Sequence, residues 1–492
     1  MIDNNKFKIF KYALPVSISL IYFIFLTIYC CYRYYTFSYD SFDLAVFNNV
    51  FWRTIHCNSF MTTLHGVNKF AIHFRPILFI ILPLYFIFQS PYFLIILQCA
   101  GAGFSIIPLY LISMEVFKSN KISALICIGY ALYPPLFYAA IYPFHPETMC
   151  IIFILYAFYF AIKKNFKFYY LFLFLSIICK EDVSLTLALL SIYIFLFLDR
   201  KNGVISFLIS IFWFFISVKY IIPYYAKSNI WYTCMFPNFG NNVIDIIKTI
   251  ILKPNITIKF LLNCYDYKLD TLFHLFAPTA FIPLFSPLTI FIIFGQLFEN
   301  FMSISSAQWT IDTQYFTNII PFVYISVIYG FKNIKNLLKK KSFIIFNIII
   351  IIFFIISVMS WFFINPINNR LAPLTKRTEI IHEIINSIPE NCSVSTNTVY
   401  LAVLSNRNKI LLFPNPFIES FMIKPDKTLT DYVLLDQTIY DINAIYGINE
   451  YILKKVPNIR DFIANLNSLP LKIGKYELCY CRYGILLYKK VK

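Results

Sequence analysis

The chain has 492 residues, of which 59% are hydrophobic, and its mean hydropathy is +0.68. A water-soluble protein of this length cannot bury so much apolar surface, so the composition predicts an α-helical membrane protein with many spans. The formal net charge is +18, but the basic residues stand in short clusters between apolar segments and form no groove for nucleic acid. This pattern is typical of cytoplasmic loops that contact anionic lipids, so membrane lipids rather than nucleic acid are the expected partners.

The apolar segments are spaced so that about eleven of them can serve as transmembrane helices, each of which needs about 20 residues. Three segments, 168–180, 272–285 and 287–302, are short and are expected to be tilted or to pass through half of the membrane. The segment 74–88 is broken by two prolines and is predicted to be a juxtamembrane or re-entrant helix. The predicted spans lie at about 10–31, 91–117, 122–141, 147–163, 168–180, 183–198, 203–222, 272–285, 287–302, 316–331 and 342–364.

Clusters of lysine and arginine set the predicted orientation, because these residues accumulate in cytoplasmic loops. The N-terminal lysines precede an apolar run without a small-residue cleavage site, which predicts an uncleaved signal anchor and a cytoplasmic N-terminus. An odd number of spans then places the C-terminus outside, in a multi-pass protein of the cytoplasmic membrane. The predicted inner loops carry Lys118 and Lys121; Lys163, Lys164 and Lys167; Arg200 and Lys201; and Lys332, Lys335 and Lys339 to Lys341.

Two predicted domains follow: a transmembrane domain, 1–364, and a small extracytoplasmic α/β domain, 365–492. Within the first, an outer loop with its juxtamembrane helices covers 32–90, and a second outer loop covers 223–271. Only 11 glycines occur in the chain and none forms a phosphate-binding loop, so a nucleotide site is not expected. The expected elements of the tail are a helix over 376–387, strands at Ser393–Ser395, Lys409–Phe413 and Tyr432–Asp436, a helix near 447–467, and a hairpin of Tyr476–Cys481 and Ile485–Lys489.

Two carboxylates, Asp40 and Asp43, stand just past the first predicted span. A carboxylate at the edge of hydrocarbon is costly, which makes it a candidate for function. Residues i and i+3 of a helical turn share a face, so the pair could bind a divalent metal, or one acid could act as a base that the other orients. The alternative is that the acids only cap and solubilise the loop helix, with Asp43 as the N-cap of the run 44–52.

Four of the six histidines fall in two predicted outer segments, which favours a functional role for these segments. His73 and Arg75 lead directly into the juxtamembrane helix, where a cation could pair with a lipid phosphate. His145 and Glu147 stand in the next outer turn and could point into the same vestibule as Asp40. Ordinary interfacial side chains, or a helix cap with a solvated acid, are the alternative interpretations.

Lys180, Glu181 and Asp182 interrupt an apolar stretch between two predicted spans. Three charges there should not face lipid, so they either cap an outer turn or line a cavity. Lys180 could bind a phosphate or stabilise a leaving group, with one of the two carboxylates holding it in place. A further polar group is interpreted mostly as plain loop: Glu299, Asn300, Gln308, Gln314 and Tyr315.

Several segments together resemble a family of predicted prokaryotic membrane proteins, the domain-of-unknown-function family 2079, over nearly the whole chain. That family is in turn similar to the C-type (GT-C) glycosyltransferases, multi-span enzymes that use polyprenyl-phosphate sugars. The segments that carry the resemblance are Tyr39–Asp43, Phe51–Thr54, His73–Leu78, Pro83–Tyr85, Phe144–Glu147, Lys180–Asp182, Asn391–Ser395, Phe413–Asn415 and Asp431–Asp436.

The second resemblance implies a GT-C-like fold and an inverting transfer of a sugar from a polyprenyl-phosphate donor to an extracytoplasmic glycan, lipid or protein. It matches Asp40, or failing that Asp43, to the acid of the first outer loop, and Lys180 to an outer lysine between central spans. The juxtamembrane helices would be 44–55 and 74–88. The chain lacks the acidic doublet of better-known members, which leaves a requirement for a divalent metal, Mg²⁺ or Mn²⁺, open.

In the resulting hypothesis Asp40 is the general base, and basic side chains bind the lipid phosphate. A transporter or flippase for a lipid-linked envelope precursor is the alternative, although no inverted repeat supports it. A scaffold for envelope polymers is a third reading, against which the charges of the vestibule argue. The remaining assignments are phosphate contacts at Arg75, Lys180 and His73, support from Glu181, and a pocket or metal site formed by Asp40, Asp43, His145 and Glu147.

Overall fold

The computed structural model describes residues 2–227, 231–338, 343–364, 371–413, 415, 428–436, 472–473 and 475–491. The chain divides into two compact units. Unit 1 consists of Met1–Tyr29, Phe70–Ile80 and Ile96–Ile367, and unit 2 consists of Cys30–Lys69, Ile81–Ile95 and Asn368–Lys492. In this division residues 32–69 and 81–90 of the expected first outer loop fall in the same unit as the tail, and residues 70–80 fall in unit 1.

Helices make up most of the described residues. In chain order they are α1 (Ile2–Tyr35), α2 (Phe42–Cys57), α3 (Ile77–Ile87), α4 (Pro91–Phe104), α5 (Ile106–Phe117), α6 (Asn120–Ala131), α7 (Pro134–Ile141), α8 (Glu147–Ile162), α9 (Phe166–Ile177), α10 (Val183–Phe197), α11 (Arg200–Ile216), α12 (Ile222–Ala226), α13 (Val243–Leu252), α14 (Pro254–Leu262), α15 (Tyr265–Phe276), α16 (Pro287–Phe301), α17 (Ile320–Leu337), α18 (Phe343–Ile364) and α19 (Lys376–Ser387).

Four helical segments of the described chain are long and apolar enough to cross a membrane: Ala13–Tyr35, Pro91–Phe117, Arg200–Ala226 and Phe343–Ile364. The pair α6 and α7 makes a fifth if it is one broken span, since the two helices meet at 50°. Two prolines at the start of α7 account for the break, because proline cannot donate the backbone hydrogen bond that would continue α6. The shorter apolar helices are Ile77–Ile87, Glu147–Ile162, Phe166–Ile177, Val183–Phe197 and Ile290–Phe301.

The predicted span at 272–285 is wrong as a continuous helix. Helix α15 ends at Phe276, and the chain continues as two short 3₁₀ segments, Ala277–Thr279 and Ile282–Phe285. Pro278 and Pro283 stand inside these segments and prevent an α-helix from passing through. The expected span at 316–331 likewise becomes helical only from Ile320.

Close helix contacts in unit 1 depend on small residues. A Cβ atom added to Gly203 would lie 2.5 Å from the backbone of Phe195, so α10 and α11 can approach only because this position is glycine. Small residues at such crossings are the usual way for membrane helices to pack closely, since lipid supplies no hydrophobic force between them.

The folded tail in unit 2 contains a six-stranded sheet of order β4-β3-β5-β8-β7-β6. Strands β4, β3 and β5 are parallel, and the other neighbours are antiparallel. The predicted strands and the predicted helix over 376–387 are present, whereas the helix expected near 447–467 lies outside the described residues. The strands of the tail are β3 (Val394–Thr396), β4 (Ile410–Leu412), β5 (Tyr432–Asp436), β6 (Lys472–Ile473), β7 (Tyr476–Arg482) and β8 (Ile485–Lys490), and β1 (Met61–Thr62) pairs with β2 (Val67–Asn68) in the first loop.

Buried amides of α2 join the first outer loop to the tail within unit 2. Asn49 Nδ2 donates hydrogen bonds to the backbone oxygens of Ser405 and Arg407, both at 2.9 Å, and its Oδ1 accepts from Thr62 Oγ1 at 3.0 Å. The neighbouring Asn48 Nδ2 donates to Ser405 Oγ at 2.7 Å. Both asparagines are fully buried, so these contacts tie α2 firmly to the tail within unit 2.

Replacing Asn49 by leucine is expected to destabilise unit 2. The variant would leave the carbonyls of Ser405 and Arg407 buried without a donor, and each lost partner costs about 1–3 kcal/mol. Thermal unfolding of the full-length protein in detergent should therefore show a lower Tm. The matched change Asn255→Leu, at an exposed position of α14, should leave the Tm near that of the wild type. An unchanged Tm for Asn49→Leu would show that these contacts do not hold the loop on the tail.

Candidate functional site

A cluster of buried charges lies at three helix ends of unit 1. Arg75 precedes α3, Glu147 is the first residue of α8, and Lys180 lies in the turn between α9 and α10. The exposed fractions of these three residues are 4%, 2% and 6%. The backbone helps to fix the arrangement, because Ile77 N donates to the carbonyl of Ile178 at 3.0 Å.

One carboxylate lies between two cations in this cluster. Arg75 Nη2 donates to Glu147 Oε1, and Lys180 Nζ lies 3.8 Å from the same oxygen. Lys180 Nζ also donates to Asp182 Oδ2 at 2.6 Å. Asp182 occupies the N-cap position of α10, yet its side chain makes no capping hydrogen bond. Its contact is the lysine, so the interpretation of these charges as simple caps does not hold.

His73 and Glu181 extend the cluster. His73 Nδ1 lies 2.6 Å from Glu181 Oε1, and Glu181 Oε2 accepts a hydrogen bond from Phe74 N at 2.9 Å. The imidazole stacks on the ring of Tyr232 with a centroid distance of 5.3 Å and an angle of 8°. The structure thus brings together five residues singled out in the sequence: His73, Arg75, Glu147, Lys180 and Glu181.

A cavity of about 350 Å³ opens beside the cluster, within unit 1. Its charged and titratable lining residues include His73, Lys180, Glu181, Asp182 and Glu299. Its apolar lining residues include Leu185, Leu189, Phe214, Ile246, Ile247 and Ile250. A cavity whose lining has both a charged and an apolar part is suited to an amphipathic ligand.

Four of the polar residues interpreted as plain loop also line this cavity: Glu299, Asn300, Gln308 and Tyr315. Glu299 Oε2 accepts from Gln296 Nε2 at 3.1 Å, and Gln296 Oε1 accepts from Thr186 Oγ1 at 2.7 Å. The signal in the sequence was the pair of polar residues at i and i+3 in the apolar helix α16, since polar residues in such helices face an interior.

His145 is buried close to the cluster, but its ring nitrogen Nδ1 contacts a backbone carbonyl. Its Nδ1 lies 2.8 Å from the carbonyl of Pro143, and its backbone N donates to Gln98 Oε1 at 2.7 Å. Glu147 is 2% exposed, so the alternative of a solvated acid at this helix start is wrong. Its position at the N-terminus of α8 favours the ionised carboxylate, because the helix dipole is positive there.

Carboxylates outnumber permanent cations among the described residues of the cluster. The cations are Arg75 and Lys180, and the carboxylates are Glu147, Glu181 and Asp182. Glu299 is a further carboxylate that lines the cavity. Burial raises the pKa of Asp182, although Lys180 opposes this change, and burial also raises the pKa of Glu181. Raised carboxyl pKa values allow the cluster to take up a proton when an anion approaches.

Asp40 and Asp43 lie in unit 2, where their local structure differs from the expected shared helical face. Asp40 precedes α2 and is exposed, and its Oδ1 accepts a hydrogen bond from Phe42 N at 3.2 Å. Asp43 lies inside the first turn of α2, and the N-cap residue is Ser41 rather than Asp43. The loop helices predicted at 44–55 and 74–88 are present as α2 and α3.

The proposed metal ligands do not form a site within the described residues. No group of three histidine, cysteine, aspartate or glutamate side chains there is arranged to hold an ion. His145 Nδ1 lies against the carbonyl of Pro143, and Glu147 Oε1 accepts a hydrogen bond from Arg75.

Comparisons with known proteins identify the family. No curated protein matches the chain significantly. The crystal structure of ArnT from Cupriavidus metallidurans bound to undecaprenyl phosphate matches 96% of this chain and 98% of its own, with 9% identity and a TM-score of 0.49. At these values the likeness does not by itself establish a shared fold. A family model described as "Predicted membrane protein (DUF2079)" matches residues 33–487, so the chain belongs to this family of membrane proteins.

Proposed function

We propose that the protein is a membrane glycosyltransferase that moves a sugar, with inversion, from a polyprenyl-phosphate donor to an extracytoplasmic acceptor. The observation that carries the proposal is the cavity of unit 1, whose lining has a charged part that includes Lys180 and a larger apolar part. A polyprenyl-phosphate sugar has the same division, with an anionic head and a hydrocarbon chain. The resemblance of the family to C-type glycosyltransferases supports the same substrate class.

Lys180 is the contact proposed for the donor phosphate. Among the described residues that line the cavity it is the one lysine or arginine. In the structure its ammonium group is held by Asp182 at 2.6 Å. Binding of a phosphate would exchange this carboxylate for the ligand, and burial, which raises the pKa of Asp182 against the opposing effect of Lys180, lowers the cost of releasing the lysine by protonation.

For Arg75 we propose a role other than the phosphate contact expected from the sequence. It does not belong to the described lining of the cavity, and its guanidinium is bonded to Glu147. We assign it to holding Glu147, which in turn lies 3.8 Å from Lys180. His73 does line the cavity, where it lies 2.6 Å from Glu181, and we assign it a hydrogen bond to the donor head group.

The proposed reaction follows from these assignments. Asp40 takes the proton of the acceptor hydroxyl, and the hydroxyl oxygen forms a bond to the anomeric carbon of the sugar. The bond from that carbon to the phosphate oxygen breaks, and both of its electrons leave with the polyprenyl phosphate. Lys180 stabilises the negative charge that develops on this leaving group. A single displacement of this kind inverts the anomeric configuration.

The first experiment incubates the purified full-length protein with a panel of polyprenyl-phosphate sugars and measures released polyprenyl phosphate. We expect release with at least one donor. If no donor is cleaved, and lipid-linked sugar instead crosses the bilayer of proteoliposomes, the protein is a transporter and the proposal is wrong.

Replacing Lys180 by methionine should lower the rate of release by about 10²- to 10³-fold, because the leaving phosphate loses its counter-charge. The change also leaves Asp182 without its partner, so the double variant Lys180→Met/Asp182→Asn tests the same loss with the charge balanced. Lys118→Met, which removes an exposed lysine paired with Glu115, is the control and should keep full activity. A fully active double variant would show that Lys180 does not stabilise the leaving phosphate.

A further inference from the structure

The segment 36–41 joins α1 to α2 and carries Asp40. Its backbone is unusual at Phe37, where φ is 56° although the residue is not glycine. A left-handed conformation is costly for a residue with a side chain and persists only where the surroundings hold it. Within unit 2, residues of the tail supply these surroundings.

The rings of two residues of the tail, His382 and Tyr400, pack against the ring of Phe37. The ring of His382, in α19, lies 4.7 Å from that of Phe37 and stacks on Tyr35 at 4.5 Å. His382 Nε2 also lies 3.0 Å from the carbonyl of Tyr35. Tyr400 meets the Phe37 ring edge-on, at 5.1 Å and 78°. Such aromatic pairs have preferred geometries and so fix direction as well as distance.

Tyr400 is itself held in place. Its hydroxyl donates to Asp436 Oδ2 at 2.5 Å, and Arg377 Nη2 donates to Asp436 Oδ1 at 2.6 Å. Asp436 is fully buried at the end of β5, and its backbone N donates to Asn397 Oδ1 at 2.8 Å. The sheet thus supports Tyr400 through a bonded carboxylate.

The other end of the segment is held by Ser41. Its Oγ donates to the carbonyl of Thr398 at 2.5 Å, and the residue is 1% exposed. Asp40 lies between the two anchored positions and remains exposed. The contacts therefore fix the backbone on both sides of Asp40 while its carboxylate stays accessible.

We propose that the C-terminal α/β domain is a positioning element for Asp40, acting through His382 and Tyr400. This inference rests on the proposed function in that Asp40 is taken as the base of the transfer. It gives the tail a role in the reaction without contact between tail residues and substrate. The mechanical part of the proposal is that these two side chains hold residues 36–41 in place. This part can be tested without an assay of enzymatic activity.

Hydrogen–deuterium exchange on the full-length protein in detergent tests the mechanical part. In His382→Ala we expect the amides of residues 36–42 to exchange at least about 10-fold faster than in the wild type. His382→Phe keeps the ring stack and should remain close to the wild type. Glu477→Gln, which removes an exposed partner of Lys472 in the β6–β7 hairpin, is the control and should change nothing in this segment. Unchanged exchange in His382→Ala would overturn the proposal.

The kinetic part is a split between kcat and KM. His382→Ala should lower kcat for donor cleavage by about 10- to 100-fold, because a displaced catalytic group loses alignment. The KM for the donor should stay the same, since Asp40 is not assigned to donor binding. Tyr400→Phe, which keeps the ring but loses the bond to Asp436, should show a smaller fall. An unchanged kcat with faster exchange would refute the positioning role, whereas a wild type inactive on every donor would refute the proposed function and leave the exchange result to decide whether the tail holds the segment.

Discussion

Asp40→Asn should lower the rate of sugar transfer by at least about 10³-fold, because asparagine cannot take the proton of the acceptor hydroxyl. Folding should be preserved. Asp40 is exposed, and the hydrogen bond that its carboxylate accepts from Phe42 N can be made equally well by an amide oxygen. Release of polyprenyl phosphate and the Tm of the purified variant measure the two quantities separately.

Asp43→Asn is the matched control for this prediction. Asp43 lies in the first turn of α2, where a carboxylate interacts with the helix dipole, so its loss should cost about 0.3–1 kcal/mol of stability. We expect less than a 10-fold effect on the rate, since the structure does not place the two acids on one helical face. If Asp43→Asn were inactive and Asp40→Asn active, the assignment of the base would move to Asp43.

Local sequence patterns predicted those elements that local interactions determine. Helix α19 spans 376–387 as expected because Thr375 caps it, its side chain accepting a hydrogen bond from Thr378 N. Prolines explain the failures: the span expected at 272–285 contains two of them, and Pro321 delays the start of α17. Hydropathy measures how apolar a segment is, but it does not test whether the backbone can continue as a helix.

The sequence predicted which residues form the charged site, but it did not predict which of them make ion pairs with each other. Arg75, Glu147 and Lys180 were marked out because charges are rare in this chain and costly beside lipid. Their partners depend on which helix ends meet, and no local pattern encodes that. The pairing changes the chemistry, since Arg75 is neutralised by Glu147 and only Lys180 remains on the described cavity lining. The buried amide contacts of Asn49 with the tail were missed for the same reason, because their partners lie more than 350 residues away.

The largest expected effect on stability comes from Arg75→Met. The change leaves Glu147, which is 2% exposed, without the guanidinium that now neutralises it. Removing one partner of a buried ion pair typically costs about 3–5 kcal/mol, because a desolvated charge remains. Thermal or denaturant unfolding of the full-length protein in detergent should show this loss.

The double variant Arg75→Met/Glu147→Met separates the burial cost from the pairing itself. Replacing both partners by apolar residues of similar size is often neutral for stability, so the double variant should recover most of the loss. Arg200→Met, at an exposed arginine at the start of α11, is the control and should have little effect. A stable Arg75→Met single variant would mean that Lys180, 3.8 Å away, neutralises Glu147 alone. In that case Lys180 would be less available to a phosphate, and the assignment of the leaving-group contact would have to change.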